Sequence, residues 1–293
     1  MDYGVGRARA PGTCGEFVQG SVGGVDLLIS CPIGWYAEAV VWLEKGDGPI
    51  SVASPLPAGG GRKALEALRR TLDYVGADVS GVLRINSPLP PGKGLGSSTA
   101  DIVATVHAAL RALGREMLPE EVARVALSVE PSDGVMFPGL VLLDHRRGTT
   151  MRPLGAPPPM GCLVLDLGGE VATEEFNRRA DLAELNARKE PEVRRALKLI
   201  LRGLDRGDPW LVGEGATISA LAHQSILPRQ GLEEIVGESE RFGAYGVVAA
   251  HSGTVVGVLL PPDGATAKHG GEVFAAKGFR VLGWVQVVPG GAR

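Results

Sequence analysis

Apolar residues spaced three and four apart give the chain its clearest helices. Leu65, Leu68 and Leu72 fall on one face over Arg62 to Tyr74. Ile102, Val106, Ala109, Leu110 and Leu113 form a second stripe over Ser97 to Leu113, closed by Gly114. A third helix is expected from Pro119 to Val129, with proline in its first turn. Short apolar runs at Ala37–Leu43, Ile50–Ala53, Val82–Ile85, Val141–Leu143 and Leu163–Leu165 read as strands. Proline and glycine dominate 148–161, which could mark a boundary, and helical stretches follow at about 174–189, 191–205, 210–224 and 231–242. Strands at Gly246–Ala250 and Thr254–Leu260 flank His251-Ser252-Gly253, and a helix near 264–277 and a strand near 281–288 close the chain. Interleaved helices and strands predict an α+β protein of two lobes, 1–155 and 156–293.

The bulk numbers narrow the function by exclusion. With 30 basic and 33 acidic side chains in 293 residues, the net charge is −3, which offers nothing to nucleic acid or to an anionic membrane surface. No apolar run approaches the roughly 18–20 residues that span a bilayer, and residues 1–12 have no signal-peptide core, so a cytoplasmic protein is expected. Cys14, Cys31 and Cys162 lack metal-site spacing and read as buried or incidental thiols. The expected partner is a small molecule. Oligomeric state is not readable, and a homodimer is compatible with everything above.

The richest chemistry lies in Pro88-Leu-Pro-Pro-Gly-Lys-Gly-Leu-Gly-Ser-Ser-Thr-Ala100. Glycines 92, 94 and 96 let the backbone approach a ligand, and the helix beginning near Ser97 aims its unpaired N–H groups back at them. Such a loop is an anion site. Candidate contacts are Pro91, Gly92, Lys93, Gly94, Leu95, Gly96, Ser97, Ser98 and Thr99, with hydroxyls for a phosphate oxygen or a metal ion and Lys93 as a point charge. A Walker A loop is excluded because Gly94 follows Lys93. A dinucleotide fingerprint is excluded because its sixth position is Ser97 counted from Gly92, or Thr99 counted from Gly94.

Three stretches in this order resemble the motifs of the GHMP kinases (galacto-, homoserine, mevalonate and phosphomevalonate kinases). They are Ala10-Pro-Gly-Thr-Cys-Gly-Glu-Phe-Val-Gln-Gly20, Pro90 to Ser98, and Gly243 to Gly257. The first lacks the usual basic residue near Thr13, and the third reads Ala250-His-Ser-Gly-Thr-Val-Val-Gly257 where the family has more glycine. Both departures, with Glu130-Pro-Ser-Asp133, are similar to the L-threonine kinase branch associated with cobalamin side-chain synthesis.

The resemblance implies a two-lobed fold, with an N-terminal lobe like ribosomal protein S5 and a ferredoxin-like C-terminal lobe. It also implies transfer of a phosphoryl group from ATP to an alcohol with Mg²⁺. Ser98 and Glu130 match the family's metal ligands. Asp133 is the candidate to accept or orient the acceptor hydroxyl, beside Lys93. Glu16 and Gln19 are expected at the acceptor and could hold its ammonium group. Thr173 and Asn177 fall where related kinases contact the acceptor, and Arg178 could pair with a carboxylate. His251 and Ser252 belong to the third motif, whereas His107 and His223 read as core or capping residues. Two alternatives stay open: another alcohol acceptor such as homoserine, or a non-catalytic metabolite sensor on the same fold.

Overall fold

The computed structural model describes residues 4–46, 48–53, 60–169 and 179–293. Its spine is a long hairpin. Strand β1 (Val5–Val22) turns through Gly23 and Gly24 into β2 (Val25–Lys45), and the two pair antiparallel. β1 is the largest departure from the sequence expectation. Its small residues and glycines hid an 18-residue strand that the apolar pattern did not reveal. Its first residues alternate exposed and buried. From Ala10 to Ser21 it is buried throughout, because both faces of the sheet are covered there.

The remaining strands extend from this hairpin. β3 (Ile50–Val52) runs parallel to β4 (Val79–Asn86), which pairs with β2, giving the order β1-β2-β4-β3 on one side. β5 (Leu140–Asp144) pairs with β2 and with β6 (Met151–Gly155), a strand in the proline- and glycine-rich stretch that patterning had left irregular. On the other side β7 (Gly161–Asp166), β8 (Gly246–Ala249), β9 (Val255–Leu260) and β10 (Arg280–Gln286) form an antiparallel set ordered β10-β7-β9-β8. One bridge, Glu16 to Ala249, joins β8 to β1 and makes the sheet continuous.

Helices α1 (Gly60–Val75), α2 (Ser97–Leu113) and α3 (Pro119–Val129) contribute to one core with β1, β2 and β4. α2 is buried along most of its length, and Gly114 ends it in the left-handed conformation. The Glu121 carboxylate accepts the Leu118 N–H at 2.7 Å and so tightens the start of α3. After β7 come α4 (Leu182–Arg188), α5 (Glu190–Arg206), α6 (Pro209–His223), α7 (Leu232–Arg241) and α8 (Gly264–Ala276). A second core takes residues from both halves of the chain, among them Cys14, Phe17, Leu95, Leu142, Val164, Val193, Val212 and Val255. All three cysteines are buried and unpaired. Among the described residues no helix is long and apolar enough to cross a membrane.

Candidate active site

The glycine loop is held from both ends of the chain. From the N-terminal side, Thr13 N–H donates to the Leu95 carbonyl at 2.9 Å. From the C-terminal side, the Lys93 carbonyl accepts N–H groups from Thr254 at 3.0 Å and Val255 at 3.1 Å. This packing leaves no room for side chains. A Cβ on Gly253 would lie 2.5 Å from the Gly94 backbone, and one on Gly94 would overlap the Ala250 methyl. Gly96, with φ 62°, precedes Ser97 at the N-terminus of α2, so the helix's unbonded N–H groups open onto the loop.

The carboxylates expected at this loop converge on it. Glu130 caps the C-terminus of α3, and the Ser98 hydroxyl donates to it. Its other oxygen meets the Lys63 ammonium of α1 at 2.5 Å, a partner that sequence reading missed because only the tertiary fold brings α1 to α3. Asp133 follows three residues later, in the irregular segment after α3. Its N–H donates to the Thr99 hydroxyl at 3.3 Å, and its Oδ1 accepts from the Ser30 hydroxyl at 3.0 Å. Its Oδ2 lies 2.9 Å from where a Gly96 Cβ would stand, so the carboxylate reaches the root of α2. Burial, and to a lesser extent the charge of Glu130, raise Asp133 to about 6 against the pull of the Ser30 and Thr99 hydrogen bonds.

Lys93 is engaged by the protein. Its ammonium lies 3.2 Å from Asp166 Oδ2 and donates to the Gly169 carbonyl at 2.6 Å. Asp166 also accepts from the Thr254 hydroxyl at 2.7 Å, so the loop and the third motif share one carboxylate.

Past the loop, β1 carries the acceptor-side candidates. Glu16 is buried and its Oε2 meets no hydrogen-bond partner. Burial first, and then the neighbouring Asp133, hold it well above the usual carboxylate range. Gln19 is fully buried, its amide nitrogen donating to the Ala249 carbonyl at 2.8 Å and its oxygen 3.1 Å from His251 Nδ1. His251 therefore turns away from the phosphate loop toward β1, while its neighbours Ala250, through its methyl, and Gly253, through its backbone, pack against the loop at Gly94. Ser252 is half-buried in the same turn. His223, expected as a core or capping residue, is buried in the last turn of α6 and stacks on His251 at 5.4 Å. Thr173, Asn177 and Arg178 lie outside the described residues.

A helix N-terminus opening on a glycine loop, with a hydroxyl–carboxylate pair and a second carboxylate beside it, defines a phosphotransferase acting on a small acceptor. Residues 62–137 match the model for the GHMP kinases N terminal domain. The chain is 33% identical over 258 residues to the L-threonine kinase of Salmonella typhimurium, covering 87% of this chain and 83% of that one. It is 34% identical over 255 residues to the L-threonine kinase of Citrobacter freundii, covering 86% and 85%. The fold superposes on homoserine kinase from Cytophaga hutchinsonii with a TM-score of 0.71 at 20% identity, over 99% of this chain and 96% of that one. The chain belongs to the GHMP kinase family and is an ATP-dependent small-molecule kinase.

The contact between Gly253 and the loop is directly testable. Gly253→Ala should cost about 1–3 kcal/mol through overpacking against Gly94. It should also weaken nucleotide binding, because the loop must move. A urea midpoint unchanged from wild type would show that the contact is not tight.

Proposed function

We propose that this kinase transfers the γ-phosphoryl group of ATP to the side-chain hydroxyl of L-threonine, giving O-phospho-L-threonine, and that the product serves cobalamin side-chain synthesis. The observation that carries the reading is the similarity, over most of the chain, to two L-threonine kinases. The acceptor side supports it independently. Glu16 is a buried carboxylate with an unpartnered oxygen beside Asp133, which suits an acceptor whose hydroxyl and ammonium lie on adjacent carbons. The lobes are assigned to 1–155 and 156–293, with the loop in the first, and the protein to the cytoplasm.

In this reading the N–H groups at the start of α2 hold the phosphates, and Lys93 adds positive charge at the loop. Ser98 and Glu130 would hold Mg²⁺, for which their hard oxygen donors are suited. Lys63 stands at the same carboxylate and would share it with the ion. Mg²⁺ would supply charge neutralisation across the phosphates. Asp133 orients the threonine hydroxyl and takes its proton as the oxygen attacks phosphorus. The ADP oxygen leaves with the electron pair of the broken bond. Thr173, Asn177 and Arg178 remain assigned to the acceptor.

The acceptor assignment is tested by ADP release with Mg-ATP against L-threonine, L-serine, L-homoserine, mevalonate and galactose. The highest kcat/KM should fall on L-threonine, and preference for another acceptor overturns the assignment.

The pH profile tests Asp133. A base must be ionised to accept a proton, so kcat/KM should rise with pH through about 6 and then level. A divalent ion held by Glu130 would remove part of the repulsion and move that limb lower. Asp133→Asn should cost about 10²–10⁴-fold in kcat and remove the limb. An unchanged limb in the variant assigns the titration elsewhere.

A further inference from the structure

Two cations lie buried beside the acceptor strand without a carboxylate of their own. Lys189, at the junction of α4 and α5, is 4% exposed, and Arg229, in the loop before α7, is 5% exposed. Neither forms an ion pair among the described residues. Lys189 donates to the Gln19 carbonyl at 3.2 Å and meets His223 Nδ1 at 3.0 Å. Arg229 donates to the carbonyls of Leu227 and Gly253, each at 3.2 Å, and of Ala250. Carbonyl dipoles compensate a buried cation only in part, and among the described residues no carboxylate pairs with either one. Burial, and then the charge of Arg229, bring Lys189 down to about 7, with Asp26 pulling the other way.

A small cavity opens next to these cations, between His145, His223, His251, Asn186, Asp26 and Arg146. It holds about 10 Å³, room for one water-sized group or one carboxylate oxygen. His145 is 5% exposed, and apart from the Asp26 backbone its ring nitrogens meet no hydrogen-bond partner. It packs edge-on against His251 at 5.0 Å. Asn186 also leaves its side-chain oxygen unpartnered. The carboxylate at the rim, Asp26, is held by Arg146 at 3.2 Å. Burial holds His145 down at about 4, so its ring is neutral and carries one N–H, for which an oxygen in the cavity competes with the Asp26 backbone.

Two chains of contacts link the cavity to the reacting centre. Ser132, next to Asp133, donates its N–H to the His145 carbonyl at 3.0 Å. Glu16 pairs with Ala249, whose carbonyl takes the Gln19 amide, and Gln19 meets His251. An acidic pole, Glu16 and Asp133, therefore adjoins a basic pole, Lys189 and Arg229 with the three histidines.

We propose that this histidine-lined cavity is the subsite for the acceptor's α-carboxylate, with His145 as the contacting residue and Lys189 as a positioning residue that acts through His223. The proposal rests on an amino acid being the acceptor. It gives the enzyme a reason to reject amino alcohols that share the hydroxyl and ammonium groups but lack the carboxylate.

Calorimetric titration with L-threonine and with L-threoninol, in the presence of a non-hydrolysable ATP analogue, tests it. Wild type should bind L-threonine at least about tenfold more tightly than L-threoninol, and Lys189→Met and His145→Leu should each bring that ratio within about twofold. Both variants should melt no lower than wild type, because each removes a poorly satisfied buried polar group. A wild-type ratio near one, a ratio retained in both variants, or binding of neither compound overturns the subsite and leaves the cavity to a structural water. ADP release separates the two readings. Tight, carboxylate-dependent binding of L-threonine without ADP release sinks the threonine kinase assignment and keeps the subsite. Equal turnover of both compounds sinks the subsite and keeps the assignment.

Discussion

The carbonyl oxygen of Lys93 is the hinge of the site. It accepts two backbone N–H groups from the turn between β8 and β9 and so ties the phosphate loop to a hairpin some 160 residues further along the chain. The Lys93 side chain repeats the connection through Asp166, which also takes the Thr254 hydroxyl. Gly94 and Gly253 are required because the two backbones meet with no space between them. An anion site needs donors that are already aimed before the ligand arrives, since reorienting them afterwards would cost binding energy. Backbone groups fixed by both halves of the chain meet that requirement.

β1 sets the order of the chemical groups. Thr13 touches the phosphate loop, Glu16 faces Asp133, and Gln19 reaches His251 and Lys189. In the proposed reading, one strand passes from the phosphoryl end to the carboxylate end of the bound amino acid. Its burial on both faces explains why the charges along it depart from their ordinary titration. Asp133 and Glu16 are raised, and Lys189 is lowered, in each case by burial before any neighbouring charge. An acceptor carrying both an ammonium and a carboxylate would relieve the two poles together.

The loop and α2 were legible because glycine, proline and serine act locally, through backbone freedom and helix-end geometry. Glu130 and Asp133 entered through the resemblance to the GHMP kinases, and the fold brings both carboxylates to the loop. β1 was not legible as a strand. Glycine and alanine fill it because α2 and the C-terminal hairpin press against its backbone, and this small-residue pattern carries no apolar alternation. Lys63, Ser30 and Asp166 join the site through contacts between elements distant in sequence, which no local spacing reports. His223 was expected in a core or capping role because it precedes a turn. Its partners Lys189 and His251 come from α4–α5 and the third motif, so only the fold shows it in a polar cluster.

An experimental structure with Mg²⁺, a non-hydrolysable ATP analogue and L-threonine tests the central geometry most directly. The account predicts the γ-phosphate at the N-terminus of α2, the threonine hydroxyl within hydrogen-bond distance of Asp133, and the amino acid lying along β1. A threonine hydroxyl directed away from Asp133, or phosphates bound off the Gly92–Ser98 loop, would contradict it.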